Sequence, residues 1–266
     1  MVEVVRRYGR LWWLFLLNSL AVELEYRAAM ISESVLALSR LGWQLAGIWV
    51  FFVHRERIGT WTLWEAAVVL GLFIFFDGLI EAFFRPNMEA IIEHIRTGTL
   101  DFVLLKPVDA QFLATVRWVR FRHFGDMLAG MGLIAYALLR LRRTPPLWGL
   151  VSLWALMLAA AVILYSILLV LVTLAFWFVD VTNIIELVWS VYEAGRVPVD
   201  AFPDVVRVVL TFIIPIAFIT TVPAEALLGR VTPTFASLSL FMATISLAIS
   251  TGFWRYALRH YTSASS

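Results

Sequence analysis

The sequence contains no cysteine and a single lysine, and each shortage excludes a class of site. Without cysteine there is no disulfide, no thiolate metal site and no cysteine nucleophile. A phosphate-binding loop needs a glycine-rich turn ending in Gly-Lys-Ser or Gly-Lys-Thr, because backbone amides and the lysine share the phosphate charge. Lys106 lies between Leu105 and Pro107, so the sequence has no such loop. Any ATP used must therefore be hydrolysed by another polypeptide.

Charged residues are also scarce. They make up 15% of the 266 residues, whereas 62% are hydrophobic and the mean hydropathy is +0.87. Soluble domains average about 25% charged residues, so this composition indicates an integral membrane protein. The net charge of +2 does not indicate a nucleic-acid partner, because the arginines are scattered between apolar runs and form no basic groove.

Histidine is rare too. The four histidines fall in different loops, and no His-Glu-x-x-His motif is present. We therefore expect no catalytic residue, no metal site and no cofactor bound by this chain.

Long apolar runs separated by short charged segments dominate the sequence. Residues 1–27 place apolar side chains along one helical stripe and arginines opposite it, which predicts an amphipathic helix in the membrane interface. Residues 28–256 predict an all-α domain of six membrane-spanning helices, followed by a cytoplasmic tail at 257–266. The predicted spans are residues 28–52, 62–84, a segment ending near 139, 147–178, a short segment within 179–195, and 235–254. The fifth could instead be a surface helix.

Three polar residues interrupt the first two predicted spans. Arg40 and Gln44 lie near the middle of the first, and Asp77 lies in the inner half of the second. Lipid does not tolerate such groups, so they must face protein or water. Arg40 and Asp77 could neutralise each other as a structural pair, or all three could form a polar patch on a substrate route.

The segment between the second and third spans, residues 85–110, is charged and amphipathic. Apolar residues recur at helical spacing from Met88 to Ile95, and charged residues take the other face. Gly98 then predicts a helix end, since glycine enters the left-handed conformation without steric cost, and Pro107 ends a second short helix. Two short helices with a kink between them, held at a membrane surface, suggest an element onto which a partner docks.

Prolines cluster in the outer segment, residues 197–230, within an otherwise apolar stretch. A straight membrane helix would not carry so many, because each removes a backbone hydrogen bond. Helices that dip into the bilayer and return explain the pattern better. The prolines concerned are Pro198, Pro203, Pro215 and Pro223.

The distribution of positive charge predicts which side of the membrane each loop occupies. With both termini inside, twelve lysine and arginine residues lie on the cytoplasmic side and eight outside, Arg40 being left out. This bias is in the expected direction but modest. It predicts a multi-pass protein of a bacterial-type cytoplasmic membrane, with segment 85–110 and both termini in the cytoplasm.

The motif EHIRTGTLDFVLLKP, residues 93–107, resembles the loop between the second and third spans of ABC-2 type permeases. These are membrane subunits of ATP-binding-cassette exporters. The outer stretches RVPVDAFPDVVRVV and PAEALLGR resemble the re-entrant segment between that family's fifth and sixth spans. The resemblance covers nearly the whole chain. The short fifth segment, with Glu186 and Glu193, departs from the family pattern.

The resemblance implies a set of site residues and partners. The inner loop would be a coupling helix in a cleft of a separate ATPase, with these residues touching it or shaping the loop: Glu89, Glu93, Arg96, Gly98, Leu100, Asp101, Lys106 and Pro107. An outer gate would comprise Pro198, Phe202, Pro203, Pro215 and Pro223. ATP and Mg would be bound by the ATPase. A second permease, identical or diverged, with a slight preference for a diverged one, would complete the pathway.

Other interpretations remain open at this point. The amphipathic loop could be a plain interfacial helix without a partner. The chain could also be a stand-alone secondary transporter or an assembly scaffold, although residues 28–139 and 147–254 show no internal repeat of the kind common in secondary transporters. The 15% aromatic content favours an amphipathic or lipid-like cargo.

Overall fold

The computed structural model describes residues 2–25, 27–143, 147–178 and 181–261, and these residues form helices and turns without a β-strand. The helices longer than ten residues are α1 (Val2–Glu25), α2 (Arg27–Phe52), α3 (Leu63–Leu79), α4 (Arg85–Arg96), α7 (Phe124–Leu141), α8 (Leu147–Thr173), α9 (Thr182–Tyr192) and α12 (Pro233–His260). Four short helices complete the set: α5 (Asp101–Leu104), α6 (Ala110–Thr115), α10 (Asp204–Val208) and α11 (Thr221–Leu227). Of the predicted tail, residues 262–266 lie outside the described residues.

Five helical segments among the described residues are long and apolar enough to cross a membrane. They are Val35–Phe52, Leu63–Arg96, Phe121–Leu141, Trp148–Phe176 and Pro233–His260. A sixth arises only if Asp204–Ile213 and Ile216–Leu227, which meet at a bend of 72°, count as one broken span. The all-helical multi-span class is confirmed, and the count of six only in part.

The fifth predicted span is not a spanning helix in this structure. Helix α9 has 11 residues, which at 1.5 Å per residue is far short of a hydrocarbon core about 30 Å thick. The alternative interpretation, a surface helix, agrees with this length, although Ile185 and Trp189 pack against the core. The proline-rich segment that follows supplies the apolar length instead, in two pieces.

The second span does not end at residue 84 as predicted. A π-helical turn, Ile80–Phe84, joins α3 to α4, so the helix continues from Leu63 to Arg96. Pro86 follows this turn closely, and the π-helical turn interrupts the regular hydrogen-bond pattern at the point where proline has no amide hydrogen to donate. The amphipathic stretch is therefore the end of the second span and not a separate helix.

The interior is built around two central helices. In α3–α4 and in α8 more than half of the most apolar stretch is buried (67% and 61%), against 11%, 22% and 17% for α2, α7 and α12. Helix α3 packs along α7, α8 packs along α12, and α11 packs against α8. The side chains of Phe73, Phe76, Phe218 and Trp254 are almost fully buried in this core.

Candidate functional site

The segment that follows α4 folds as a helical hairpin. Helix α4 ends at Arg96, and Gly98 takes φ +70°, as the glycine stop predicted. The amide of Gly98 donates to the carbonyl of Ile95 at 3.3 Å, and that of Leu100 donates to the carbonyl of His94 at 3.2 Å. The chain then turns into α5. We refer to residues 85–107 as the hairpin.

A small separate core supports this hairpin from within. The side chains of Leu100, Val103 and Leu113 are buried together. Phe15 of α1, Leu258 of α12 and Tyr261 pack around them. Leu100, predicted as a contact or shaping residue, is 0% exposed and so belongs to the support; it cannot touch a partner while the hairpin stays folded.

Two apolar side chains that the sequence analysis did not single out project from the hairpin tip. Phe102 is 69% exposed and Leu105 is 80% exposed. Lys106 and Pro107 are exposed beside them. In the run LDFVLLKP the buried residues Leu100 and Val103 are three apart, and their packing directs Phe102 and Leu105 outward.

The predicted charged residues of the hairpin are largely paired. Glu93 and Arg96 form an exposed ion pair at 2.7 Å. Glu89 pairs with Arg120, beyond the hairpin, at 2.6 Å. Asp101 is half-buried. Burial of the Tyr261 phenol and the negative charge of the Asp101 carboxylate together raise the pKa of that phenol.

Helix α1 lies along the loop that leads from the hairpin to α7. At its start, Arg7 donates to the carbonyl of Pro107, and the Tyr8 hydroxyl accepts from the amide of Asp109 at 3.1 Å. Near its end, the Glu23 carboxylate accepts from the amide of Arg122 at 2.8 Å. The amphipathic N-terminal helix is therefore bound to the loop at both ends.

A chain of ion pairs runs down the second span into this loop. Glu81 pairs with Arg85 one turn later, Arg85 approaches Glu89 at 3.9 Å, and Glu89 reaches Arg120. Asp77 lies one turn before Glu81. These charges occupy successive turns of one helix, which the spacing of four residues could have revealed.

Of the two alternatives for the intramembrane polar residues, the structure does not show the ion pair between Arg40 and Asp77. Arg40 of α2 instead donates to both carboxylate oxygens of Asp126 in α7, at 3.0 and 3.1 Å, and to Glu33 at 2.9 Å. His123 adds a contact of 3.2 Å to Asp126. Gln44 is half-buried one turn further along α2. A role for these residues on a substrate route stays a prediction.

The proline-rich segment is fixed to the start of the second span. Trp61 is fully buried, and its indole nitrogen donates to Asp200 at 3.0 Å. Glu65, also buried, pairs with Arg230 at the far end of the segment. These two contacts were not predicted, and they join residues far apart in sequence.

The predicted gate residues are spread through this segment. Pro198, Pro215 and Pro223 are buried, whereas Pro203 is exposed and Phe202 half-buried. Pro203 directly precedes α10, and Pro215 lies at the 72° bend. The prolines therefore coincide with helix starts and the break, as their chemistry requires.

Among the described residues no group of three or more histidine, aspartate or glutamate side chains could hold a metal ion. The comparisons with known proteins gave one match. A family model described as ABC-2 family transporter protein matches residues 38–265. No curated protein and no solved structure matches the chain.

Proposed function

Because this chain belongs to the ABC-2 family of transporter proteins, we propose that it is the permease subunit of an ATP-driven exporter. As a member of this family it is a multi-pass, non-catalytic membrane protein. In the proposed complex it forms half of the translocation pathway. A separate ATP-binding-cassette ATPase binds ATP and Mg and engages the hairpin.

The exposed apolar tip of the hairpin is the observation that carries the proposal. Phe102 and Leu105 are the most exposed apolar side chains of the hairpin, beside the exposed Lys106 and above the buried Leu100 and Val103. Large apolar side chains within a polar rim are typical of protein interfaces, where aromatic anchors carry much of the binding energy. The buried support of Leu100 and Val103 keeps the tip in one geometry.

The continuity of the second span supports a mechanical link. Since the helix runs from Leu63 to Arg96, force on the hairpin reaches the core without crossing a flexible loop. The outer end of the same helix holds the proline-rich segment through Trp61 and Glu65. ATP-driven closure of the ATPases would therefore tilt the second span and shift the outer gate.

The remaining parts of the proposal concern assembly and orientation. Two permeases face each other, with a slight preference for a diverged partner. The chain resides in a bacterial-type cytoplasmic membrane with both termini inside. Support for this comes from Phe15 and Tyr261, which lie near opposite ends of the chain and pack on the same core beneath the hairpin. The cargo is amphipathic or lipid-like.

Co-purification tests the proposal. The tagged chain is solubilised from native membranes, and co-purifying polypeptides are photolabelled with azido-ATP. We expect a labelled ATPase with the wild-type chain and about tenfold less with Leu105→Ser, because loss of an interface anchor costs more than about 1 kcal/mol.

Leu139→Ser is the matched control, since Leu139 is 75% exposed but lies on α7, away from the hairpin. It should retain the ATPase. Absence of a labelled ATPase from the wild-type preparation, or equal recovery with Leu105→Ser, would reject the coupling assignment. The first outcome would favour a stand-alone transporter or scaffold.

A further inference from the structure

A groove with apolar walls lies between α4, the second half of α8 and α9. Its volume is about 620 Å³, within the range of small-molecule sites, about 300–1,000 Å³. We call it the α4–α9 groove. Its apolar walls include Met88, Ile92, Leu168, Leu171, Val172 and Ile185.

Charged side chains line the same groove, and carboxylates outnumber guanidinium groups. Arg85, Glu89, Glu93 and Arg96 line it from α4, and Glu186 lines it from α9. The charges on α4 compensate one another: Arg85 pairs with Glu81, Arg96 with Glu93, and Glu89 with Arg120. Among the described residues, no cation lies within 4.0 Å of the Glu186 carboxylate, and this side chain belongs to an exposed residue. The groove therefore keeps uncompensated negative charge.

An aromatic ring in the groove already receives a positive charge. The Arg85 guanidinium carbon lies 5.2 Å from the ring centroid of Trp189. Tryptophan is the strongest cation–π partner among the aromatic residues. Glu186 precedes Trp189 by three residues on α9, so the free carboxylate and the indole lie on neighbouring turns of one helix face.

We propose that the α4–α9 groove binds lipophilic organic cations, and that these are the cargo of the exporter. The cationic centre lies between Glu186 and Trp189, and the apolar body packs against Met88, Ile92 and Leu168. Anions of the same shape are excluded, because the unpaired Glu186 carboxylate repels them. This inference names the cargo class of the function proposed above and rests on it for the transport step only.

Tetraphenylphosphonium and tetraphenylborate test the proposal, since they share a shape and differ in the sign of their charge. Equilibrium dialysis is run with the purified full-length chain in detergent against protein-free micelles. We expect saturable binding of tetraphenylphosphonium and none of tetraphenylborate. Glu186→Gln, an isosteric change at an exposed position, should weaken binding about fivefold, as should Trp189→Leu, whereas Trp189→Phe should lose less.

Glu193→Gln is the matched control. Glu193 carries the same carboxylate and is paired with Arg196 at 2.8 Å, and it does not line the groove. This variant should bind like the wild type. Equal affinity of the wild type and Glu186→Gln, saturable binding of both ions, or no saturable binding of the phosphonium would each overturn the inference.

The assay contains no ATPase, so its outcome is independent of the coupling proposal. Glu186-dependent binding by a chain that recruits no ATPase would reject the export function and keep the groove as a cation site. Recruitment of an ATPase by a chain that does not bind the phosphonium would keep the export function and reject the groove as a cation site.

Discussion

The side-chain amide of Asn87 bonds both backbone groups of Trp118. Its nitrogen donates to the Trp118 carbonyl at 2.8 Å, and its oxygen accepts from the Trp118 amide at 2.9 Å. The same nitrogen also donates to the carbonyl of Phe83 at 2.6 Å. Asn87 is 0% exposed, so one buried side chain ties the C-terminal part of the second span to the loop before α7.

Asn87→Ala should therefore destabilise the protein. The substitution leaves two backbone groups of Trp118 without their partner in a buried site, at a cost of about 1–3 kcal/mol. We expect a lower apparent melting temperature of the detergent-solubilised chain. Asn18→Ala, at an exposed position of α1, is the control and should melt like the wild type. An unchanged melting temperature for Asn87→Ala would show that these hydrogen bonds do not stabilise the contact between the second span and the loop.

Glycine at position 130 allows α7 to approach α3 closely. A Cβ atom there would lie 2.6 Å from the Gly71 carbonyl oxygen and 2.6 Å from the Phe75 amide nitrogen. Both neighbours are backbone atoms and cannot rotate away. Gly130→Ala should therefore separate the two helices and destabilise the chain by about 1–3 kcal/mol, measured by the same melting assay.

Gly132→Ala, on the same helix, should not destabilise the chain as Gly130→Ala does. A Cβ at Gly132 meets no atom within 4 Å, and alanine is the better helix former by about 1 kcal/mol. This variant should melt at or above the wild-type temperature. If the two alanine variants behaved alike, close packing of α3 and α7 would not be the cause.

Sequence reasoning succeeded where a local pattern decides the structure and failed where distant residues meet. The glycine stop at residue 98 depends on backbone conformation alone, and it was predicted correctly. The partner of Arg40 depends on how α2 and α7 pack, and the nearest acidic residue in the adjacent span, Asp77, proved to be the wrong one. Asn87 carried no signal at all, because its partner is backbone.

Span lengths show the same division. Hydropathy located the long helices, but it could not reveal that the π-helical turn at Ile80–Phe84 carries the second span on to Arg96. The exposed tip formed by Phe102 and Leu105 was missed because hydropathy alone places apolar residues inside. Only the packing of Leu100 and Val103 shows which side of the hairpin faces outward.

Gly98→Val should impair coupling, whereas Gly98→Asn should preserve it. The residue adopts φ +70°, which costs a β-branched residue about 1–2 kcal/mol and which asparagine tolerates better. The hairpin tip would shift in the valine variant. We expect lower ATP turnover of the reconstituted complex with valine and near-normal turnover with asparagine. Equal turnover would show that the tip position does not matter.

The Arg40–Asp126 contact predicts a coupled pair of substitutions. Arg40→Met leaves Asp126 without its guanidinium partner, and Asp126→Asn removes one carboxylate partner of Arg40. Each should destabilise the chain, and the double variant should cost less than the sum of the two, since residue 126 is then neutral and only Glu33 loses its partner.

Asp77→Asn serves as the comparison in this cycle. If Asp77 were the true partner of Arg40, the cycle of Arg40→Met with Asp77→Asn would give a coupling energy, and the cycle with Asp126→Asn would not. Melting temperatures of the single and double variants are sufficient to decide between the two carboxylates.

The absence of cysteine permits a direct test of orientation. Single cysteines at Lys106 and Arg57, both exposed, mark the hairpin tip and the loop between α2 and α3. A membrane-impermeant maleimide should label Lys106→Cys only in inside-out vesicles and Arg57→Cys only in right-side-out ones. Labelling of the hairpin tip from outside would place it beyond the reach of any cytoplasmic ATPase.

The only lysine of the sequence lies on the exposed tip of the hairpin. Reagents that acylate lysine side chains thus have one target on the unmutated chain, and it lies on the surface where we place the ATPase. A fluorophore attached there would report subunit association by its own signal. A bound subunit would in turn shield the amine, and its reactivity would become a footprint of the assembled transporter.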